Sequence, residues 1–375
     1  MNWNSAPLGD VTAVLGGTTP KSENPAYWNG AHVWVTPTDL CKLDTWEINA
    51  SERRITDAGV ASCNLPLVPT RAVVMSSRAP IGHLAIAGCD LHTNQGCKSF
   101  VCSDALDPEF LFLTLRFRMR EIQSLGSGAT FVEVSKSALE AFGISFPTLA
   151  GQRRIAARVK AQLAAVEQAR QAAQAQLAEL TMLANAVIRE SVVENEVRTL
   201  GDVLEEVKQG IGPEWAGYPV LGATRDGLAP AKEPVGKHPE RYKPVRCGTV
   251  FYNPMRILIG SIAMVDDGDA EGITSPDYVV LHGREGIVDT RWFYYWLRSP
   301  LGEQCIASLA RGAVRERMLF NRLAEGTIGL PRFDVQQRAS LALAQIRPMQ
   351  KAIETQLADI EALPARVLAQ AFESV

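Results

Sequence analysis

An internal repeat constrains the fold of this 375-residue chain more than any single motif. The sequence Leu8-Gly9-Asp10-Val11 returns 192 residues later as Leu200-Gly201-Asp202-Val203. Further matches follow in the same order at offsets of 182 to 184 residues: residues 110–115 with 292–297, residues 144–147 with 328–331, and Gln152 with Gln336. A repeat of this length predicts two copies of one structural unit.

Each copy begins with a segment of mixed secondary structure. Residues 31–36 and 72–76 have the pattern of short strands between Pro and Gly turns, whereas residues 108–124 are typical of a helix. The composition, with 46% hydrophobic and 21% charged residues, is that of folded domains. We therefore expect two globular domains of the α/β (α+β) class.

A long run of helix-forming residues follows each globular segment. Neither Pro nor Gly occurs between Gly151 and Glu194. Apolar residues recur in alternating steps of four and three in the first run and in steps of seven in the second. Such seams need a partner, so the runs are predicted to form a long antiparallel two-helix coiled coil that separates the domains. The seam residues are Ala173, Leu177, Leu180, Ala184 and Val187 in the first run and Ile346, Ile353, Ile360 and Val367 in the second.

The repeat and the helix-forming runs together predict four segments. These are residues 1–150 and 198–332 for the two globular domains, and residues 151–197 and 333–375 for the two helices. Pro364 is expected to end or kink the second helix, because proline lacks a backbone donor and clashes with the preceding turn.

The sequence has no recognisable motif for catalysis, cofactor binding or metal binding. It contains no P-loop and no glycine-rich turn suited to S-adenosylmethionine or a dinucleotide. The string Asn253-Pro254-Met255-Arg256 lacks the second proline and the aromatic residue of an amino-methyltransferase motif, and the histidines and cysteines lack metal-ligand spacing. Asp266, Asp267 and Asp269 are interpreted as a solvated turn in preference to a nuclease or cation site. We predict a non-catalytic chain.

Charge and hydropathy limit the kinds of partner. A net charge of −3 and a pI near 6.0 argue against a chain that binds nucleic acid through bulk positive charge, so any DNA contact must come from local patches. No stretch resembles a signal peptide or a membrane span, and a cytoplasmic location without membrane association is expected.

The remaining candidate functional residues are polar, basic and aromatic side chains in loops of the two globular segments. Arg and Lys contact phosphates and guanine, Asn and Gln contact adenine, and Ser and Thr contact either base. In the first segment the candidates are Thr18, Thr19, Lys21, Tyr27, Trp34, Ser76, Ser77, Arg78, Thr93, Asn94, Gln95, Ser127 and Thr130. In the second they are Thr224, Arg225, Asn253, Arg256, Ser275, Arg311, Arg315 and Arg317.

The first segment resembles the target-recognition domain of the specificity subunits of Type I restriction-modification systems. The motifs are Leu8-Gly9-Asp10-Val11 through Gly17-Thr18-Thr19-Pro20-Lys21, then Ser77-Arg78-Ala79-Pro80-Ile81-Gly82 and Thr93-Asn94-Gln95-Gly96. The second segment is similar to another variant of that domain, with Tyr252-Asn253-Pro254-Met255-Arg256-Ile257 and Thr274-Ser275-Pro276-Asp277-Tyr278. The resemblance covers nearly the whole chain.

This resemblance implies that each domain reads one half of a bipartite target in double-stranded DNA, while the helices set the spacing between the halves. The two segments differ at most candidate positions, so the target is expected to be asymmetric. The resemblance also implies two methyltransferase (modification) subunits and a restriction subunit that acts as translocase and nuclease. S-adenosylmethionine and ATP are expected on those partners, and no cofactor is expected on this chain.

Two other functions stay open at the level of sequence. One is an enzyme with unfamiliar motifs, which binding of S-adenosylmethionine by the isolated chain would favour. The other is a coiled-coil adaptor that bridges proteins without DNA readout. Exchange of residues 1–150 for another domain of the family separates the adaptor from the specificity subunit, because only the latter would change one half of a DNA target.

Overall fold

The computed structural model describes residues 3–78, 80–127, 132–310 and 317–373. The chain forms two compact units. The first contains residues 1–170 and 358–375, and the second contains residues 171–357. Each unit therefore holds one globular segment together with parts of both helical runs.

The first unit is a mixed α/β fold that begins the chain. Its strands are β1 (Asn4–Pro7), β2 (Thr12–Gly16), β3 (Trp28–Val35), β4 (Glu47–Ile48), β5 (Arg54–Ile55), β6 (Val73–Ser76), β7 (Leu84–Ala87), β8 (His92–Thr93), β9 (Cys97–Cys102) and β10 (Gly143–Phe146). Its helices are α1 (Leu8–Val11), α2 (Pro37–Cys41), α3 (Asp57–Ser62), α4 (Pro108–Phe117), α5 (Met119–Ser124), α6 (Lys136–Glu140) and the start of α7 (Leu149–Ser191). The predicted helix over residues 108–124 is thus two helices that meet at Arg118.

The main sheet of this unit has the strand order β2-β9-β6-β7-β4, and β1 pairs antiparallel with β10. Helix α4 covers the sheet with a continuous run of buried residues, from Phe110 to Leu115. The end of the chain also belongs to this core, because the ring of Phe372 lies 5.3 Å from that of Phe117 and 5.6 Å from that of Phe110.

The second unit repeats this plan with different loops. Its strands are β11 (Glu196–Thr199), β12 (Leu204–Glu206), β13 (Leu221–Thr224), β14 (Gly227–Pro230), β15 (Lys243–Val245), β16 (Thr249–Tyr252), β17 (Ile262–Val265), β18 (Gly272–Thr274), β19 (Val279–Gly283) and β20 (Thr327–Leu330). Its helices are α8 (Leu200–Val203), α9 (Thr290–Arg298), α10 (Pro300–Leu309), α11 (Phe320–Leu323), α12 (Phe333–Leu343) and α13 (Ile346–Phe372), the last of which ends in the first unit.

The sheets confirm the internal repeat. The second unit has the order β12-β19-β16-β17, which matches β2-β9-β6-β7 of the first strand for strand, and β11 pairs with β20 as β1 pairs with β10. The repeated tetrapeptide forms the short helices α1 and α8, and its Leu and Val are buried in both. The predicted fold class, two α/β domains joined by long helices, is confirmed.

The long helices follow the predicted seams. Helix α7 has 43 residues, which corresponds to about 64 Å at 1.5 Å per residue. It begins in the first unit and ends in the second, whereas α13 begins in the second unit and ends in the first. Along both helices the seam residues are buried or half-buried, and most of the residues between them are exposed. In the part of the chain that the structure describes, no helix is both long enough and apolar enough to cross a membrane.

The second helical run differs from its prediction in one respect. It is interrupted at residues 344–345, between α12 and α13, whereas α13 continues through Pro364 to Phe372. Pro364 therefore does not end the helix, because the packing of the last turns around Leu368 and Ala371 on the first unit outweighs one lost backbone hydrogen bond.

A buried glutamine joins each helical run to its globular segment. The Oε1 atom of Gln152 accepts a hydrogen bond from the Asp107 N–H at 2.8 Å, and its Nε2 donates to the carbonyls of Ala105 and Pro147, both at 2.9 Å. Asp107 in turn caps the start of α4. One side chain therefore satisfies three backbone groups that burial would otherwise leave without partners.

The second unit has the same arrangement around Gln336. Its Oε1 accepts from the Asp289 N–H at 2.9 Å, and its Nε2 donates to the carbonyls of Ile287 at 3.0 Å and Pro331 at 2.7 Å. Asp289 caps α9 as Asp107 caps α4. The glutamine match in the sequence thus marks a repeated junction.

We predict that Gln336→Ala destabilises the chain by about 2–4 kcal/mol, because three buried backbone groups lose their partner and a cavity remains. The adjacent Gln337 is exposed, and Gln337→Ala is the matched control, with an expected change within about 0.5 kcal/mol. Urea unfolding followed by circular dichroism measures both. Equal effects of the two variants would contradict the role of this junction.

Candidate nucleic-acid interface

In the first unit, several loops meet at one surface through backbone hydrogen bonds. The Thr18 N–H donates to the carbonyl of Thr93 at 3.0 Å, and the Ser77 N–H donates to that of Gly96 at 2.8 Å. The Val134 N–H donates to the carbonyl of Ser77 at 3.0 Å. We call this surface the first loop surface; its described residues are 17–24, 77–78, 80–83, 93–96, 125–127 and 132–134.

Two of these loops approach so closely that position 17 must be glycine. A Cβ atom at Gly17 would lie 2.0 Å from the carbonyl oxygen of Asn94 and 2.3 Å from that of Thr93. The contact places Thr19 beside Gln95, and their side chains are hydrogen bonded although 76 residues separate them in the chain. The sequence motif with consecutive Gly and Thr residues therefore brings two candidate contact residues together.

The predicted contact residues of this unit divide into a buried and an accessible set. Buried are Trp34, Ser76, Ser77 and Thr93. Exposed or half-buried are Thr18, Thr19, Lys21, Tyr27, Arg78, Asn94, Gln95 and Ser127. Thr130 lies outside the described residues. The buried hydroxyls hold the loops in shape: Ser76 Oγ donates to the Pro80 carbonyl and accepts from the His83 N–H, both at 2.8 Å.

A tryptophan pair supports one side of the first loop surface. Trp34 Nε1 donates to the carbonyl of Thr18 at 3.1 Å, Trp28 Nε1 donates to that of Lys21 at 3.3 Å, and the two rings meet edge to face. The exposed Arg53 guanidinium lies 3.6 Å above the Trp28 ring. Stacking fixes the plane of this cation at the surface.

Sequence reasoning missed Arg53. Its position in a polar loop gave a weak signal, since basic residues in loops are common, and the tryptophans that orient it are distant in the chain. Only the pairing of β3 with β5 places them together.

An ion pair between a buried lysine and a half-buried glutamate holds the last of these loops. Lys98 on β9 is buried, and its Nζ donates to Glu133 Oε1 at 2.9 Å and to Ser77 Oγ at 3.4 Å. Ser127 and Glu133 exchange backbone hydrogen bonds of 3.1 and 3.0 Å. Because a buried ammonium without a partner is costly, the pair keeps Glu133, and with it Ser127, against the sheet.

Burial disfavours the charged forms of two titratable groups behind the first loop surface. Burial raises the pKa of the Cys97 thiol to about 12, and burial lowers the pKa of His92 from its ordinary value. His92 Nδ1 lies 2.9 Å from the carbonyl of Pro66. The charge at this surface therefore comes from its Lys, Arg and Glu side chains.

In the second unit, residues 253–261 connect β16 to β17 in a rigid turn, here called the second-unit turn. Asn253 Oδ1 accepts from the Met255 N–H at 2.9 Å, and the Arg256 N–H donates to the carbonyl of Asn253 at 3.0 Å. Gly260 has a φ of 82°, in the left-handed region that favours glycine. The Arg256 side chain is exposed, whereas Asn253 is half-buried.

Arg225 lies next to this turn. The Arg298 guanidinium donates to the carbonyl of Arg225 at 2.6 Å and to that of Ile262 at 2.8 Å, which ties the β13–β14 hairpin to the start of β17. Thr224 Oγ1 donates to the carbonyl of Gly227 at 3.1 Å inside that hairpin. Arg225 is exposed and lies beside the turn. Thr224 stabilises the hairpin through its hydrogen bond.

The remaining predicted contact residues of the second unit are Ser275, Arg311, Arg315 and Arg317. The Arg317 guanidinium donates to Asp277 Oδ1 at 2.9 Å, and the Asp277 N–H donates to Ser275 Oγ at 3.4 Å. The Met318 N–H donates to the Pro254 carbonyl at 3.0 Å, which brings this segment to the turn. Arg311 and Arg315 lie outside the described residues.

The acidic run forms a turn, as the sequence suggested, and Asp267 is exposed in it, but Asp266 and Asp269 are not solvated. Asp266 is buried and accepts from Arg291 Nε at 2.9 Å, while Arg291 Nη2 donates to Asp267 at 2.8 Å. Asp269 is half-buried and contacts Arg347 of α13. The hydrogen bond with Asp266 raises the pKa of Arg291 above its ordinary value. The carboxylates anchor helices, and within the described residues no group of side chains could hold a metal ion.

Part of the chain is similar to proteins of known family. Residues 1–175 match the family model described as "Type I restriction modification DNA specificity domain". This match covers 175 of the 375 residues, just under half of the chain. The chain is 34% identical over 157 residues to the Type I restriction enzyme MjaIX specificity subunit of Methanocaldococcus jannaschii, and 22% identical over 162 residues to the EcoR124I/EcoR124II specificity subunit of Escherichia coli.

The sequence alignments cover less than half of this chain, whereas the structural alignments cover nearly all of it. The alignments cover 41% of this chain in both cases but 36% and 39% of the two specificity subunits, so the chain spans little more than a third of the curated relatives it matches. A solved chain of the type I R-M system, described for its complex assembly and conformational transition, covers 99% of this chain and 97% of its own length, with a TM-score of 0.70 and 18% identity. The HsdS subunit from Thermoanaerobacter tengcongensis covers 99% and 96%, with a TM-score of 0.56 and 19% identity. Both show the same fold.

Because Arg53 is an exposed cation at this surface, we expect Arg53→Ala to weaken the binding of double-stranded DNA by the chain and to reduce the slope of log affinity against log salt by about 0.9, the value of one phosphate contact. Lys42→Ala removes the same charge from an exposed residue that is already paired with Glu52 at 2.9 Å, and serves as the control. Fluorescence anisotropy over a salt series measures both slopes. Identical slopes for the two variants would remove Arg53 from the interface.

Proposed function

We propose that the chain is the sequence-specific DNA-recognition subunit of a Type I restriction-modification complex. The observation that carries this proposal is the repetition of one sheet and one helical junction with unlike polar loops on each copy. A frame that is the same in both copies is suited to hold two reading surfaces, and loops that differ are suited to read two sequences. The similarity of residues 1–175 to the DNA specificity domain, and of 157 residues to a Type I specificity subunit, supports the same conclusion.

The two units are proposed to read different halves of a bipartite target. The first loop surface offers Thr19, Asn94 and Gln95, which are side chains for adenine and for either base. The second-unit turn and its neighbour offer Arg256 and Arg225, which suit guanine and phosphate. An asymmetric target follows, with α7 and α13 setting the distance between its halves.

Catalysis is assigned to partners. The proposed partners are two methyltransferase subunits, which use S-adenosylmethionine, and a restriction subunit, which uses ATP to translocate DNA and cleaves it. Four large apolar side chains on the helical parts of the second unit are at least half exposed and are the proposed candidates for the methyltransferase contact. They are Met182, Leu183, Leu341 and Met349. The proposed compartment is the cytoplasm, where such a complex meets DNA.

The adaptor alternative has no support in the family match. The model that matches residues 1–175 is that of a DNA specificity domain. A protein adaptor would also not need unlike loops on repeated frames, since two equal ends suffice to bridge two copies of one partner.

Methylome sequencing tests the proposed function. A host without adenine methylation receives this chain and its methyltransferase, and methylated adenines are expected in a split, asymmetric motif that disappears when the chain is omitted. Exchange of residues 1–150 for another domain of the family should change one half of the motif and leave the other intact. A motif that persists without the chain would reject the proposal.

We predict that Met182→Lys combined with Leu183→Lys weakens association with the methyltransferase by at least tenfold, because two charges would enter a desolvated interface. Both side chains are at least half exposed in the chain alone, so its melting temperature should stay within about 2 °C. The control, Gln174→Lys combined with Gln176→Lys, adds the same two charges at exposed polar residues of the same helix. Analytical ultracentrifugation measures the association, and an unchanged dissociation constant would exclude this helix segment from the interface.

A further inference from the structure

The second-unit turn exposes large apolar side chains beside its candidate base-reading residues. Met255 is 50% exposed, Leu258 55% and Ile259 65%. They stand in the same turn as Asn253 and Arg256. Single exposed apolar residues scattered over a protein surface are common and need no explanation. A group of them on one short turn is different, because such patches typically mark a binding surface.

The turn presents these side chains in a fixed position. Ile257 between them is buried and anchors a 3-10 turn over residues 257–259. The Ile259 N–H and the Ser261 N–H both donate to the carbonyl of Arg256 at 3.1 Å. An apolar surface that is ordered before binding loses little conformational entropy when it meets its partner.

We infer that Leu258 and Ile259 form an apolar wedge that reads the methyl groups of thymine in the major groove. This inference rests on the proposed DNA-recognition function. Double-stranded DNA is the occupant that the surroundings favour, because the exposed Arg256 and Arg225 flank the wedge and provide positive charge for phosphates. In the major groove, the thymine C5-methyl group is the apolar feature that distinguishes one base pair from another.

The corresponding connection of the first unit exposes no large apolar side chain among its described residues, and the exposed Leu125 and Val132 of the first loop surface belong to other segments. That connection joins β6 to β7; its Ile81 is half-buried, and the Arg78 backbone forms an isolated antiparallel β-bridge with the Glu133 backbone. The wedge of Leu258 and Ile259 is therefore assigned to the half of the target that the second unit contacts.

The experiment uses the full chain assembled with its methyltransferase. Methylome sequencing gives the motif, and exchange of residues 198–332 identifies the half that the second unit reads. Each thymine of that half, on either strand, is then replaced by deoxyuridine, which removes only the methyl group. Dissociation constants are measured by fluorescence anisotropy for the unaltered chain and for the variant with Leu258→Ser and Ile259→Ser. Val197→Ser, at an exposed apolar residue of β11, is the matched control.

At one or more positions, deoxyuridine is expected to weaken binding of the unaltered complex about fourfold, the loss of one buried methyl contact. The wedge variant should bind the thymine duplex at least tenfold more weakly and should no longer distinguish thymine from deoxyuridine. The Val197→Ser control should behave as the unaltered chain. This loss of discrimination separates direct contact from a structural effect of the substitutions.

Several outcomes would overturn the wedge. These are a half-target without thymine on either strand, binding of the unaltered complex that ignores deoxyuridine at every position, or equal discrimination by the wedge variant. Loss of methyltransferase association in the wedge variant, with unchanged DNA binding once assembled, would assign the patch to a protein interface. In each of these cases sequence-specific binding by the unaltered complex would persist, whereas its absence would reject the proposed function itself.

Discussion

The fold depends on a buried amide side chain used twice. Gln152 and Gln336 each satisfy one backbone N–H and two carbonyls at the point where a globular segment passes into a helical run. The N–H belongs to the aspartate that caps α4 or α9, the helix that covers the main sheet. The amide therefore fixes the beginning of the helical run relative to the sheet. A shorter or purely apolar side chain could not replace it, because buried backbone groups need partners.

A fixed frame permits variable loops. In both units the order of the four shared strands and the junction are the same, while the connections between strands differ in length and residue type. In the first unit the loops are tied to one another by backbone bonds, by close contact at Gly17 and by the Lys98–Glu133 pair. In the second, Arg298 ties the hairpin that carries Arg225 to the turn that carries Arg256. Each surface is ordered by internal contacts, so a contact with DNA would not have to order it.

Charge is arranged locally in a chain whose net charge is slightly negative. Many carboxylates are paired with cations of the same unit, as Asp266 with Arg291 and Asp277 with Arg317, so they contribute little free negative charge. The exposed cation Arg53 and the exposed turn around Arg256 stand apart from these pairs. Such a distribution is suited to a protein that reads DNA through a few directed contacts and leaves much of the phosphate neutralisation to partner subunits.

The sequence by itself determined the repeat, the mixed α/β class, the two long helices and their seams, because these depend on periodicity, composition and similarity along the chain, which are local properties. It also singled out the loops that form the two surfaces. The tertiary structure decided which side chains in those loops are accessible. Buried are Trp34, Ser76, Ser77 and Thr93, whereas the exposed Arg53 guanidinium stacks on the Trp28 ring. It also decided that the acidic run would pair with Arg291 and Arg347 and that α13 would continue through Pro364. These outcomes depend on contacts between residues far apart in the chain, whose energies exceed local preferences and leave no local pattern from which to predict them.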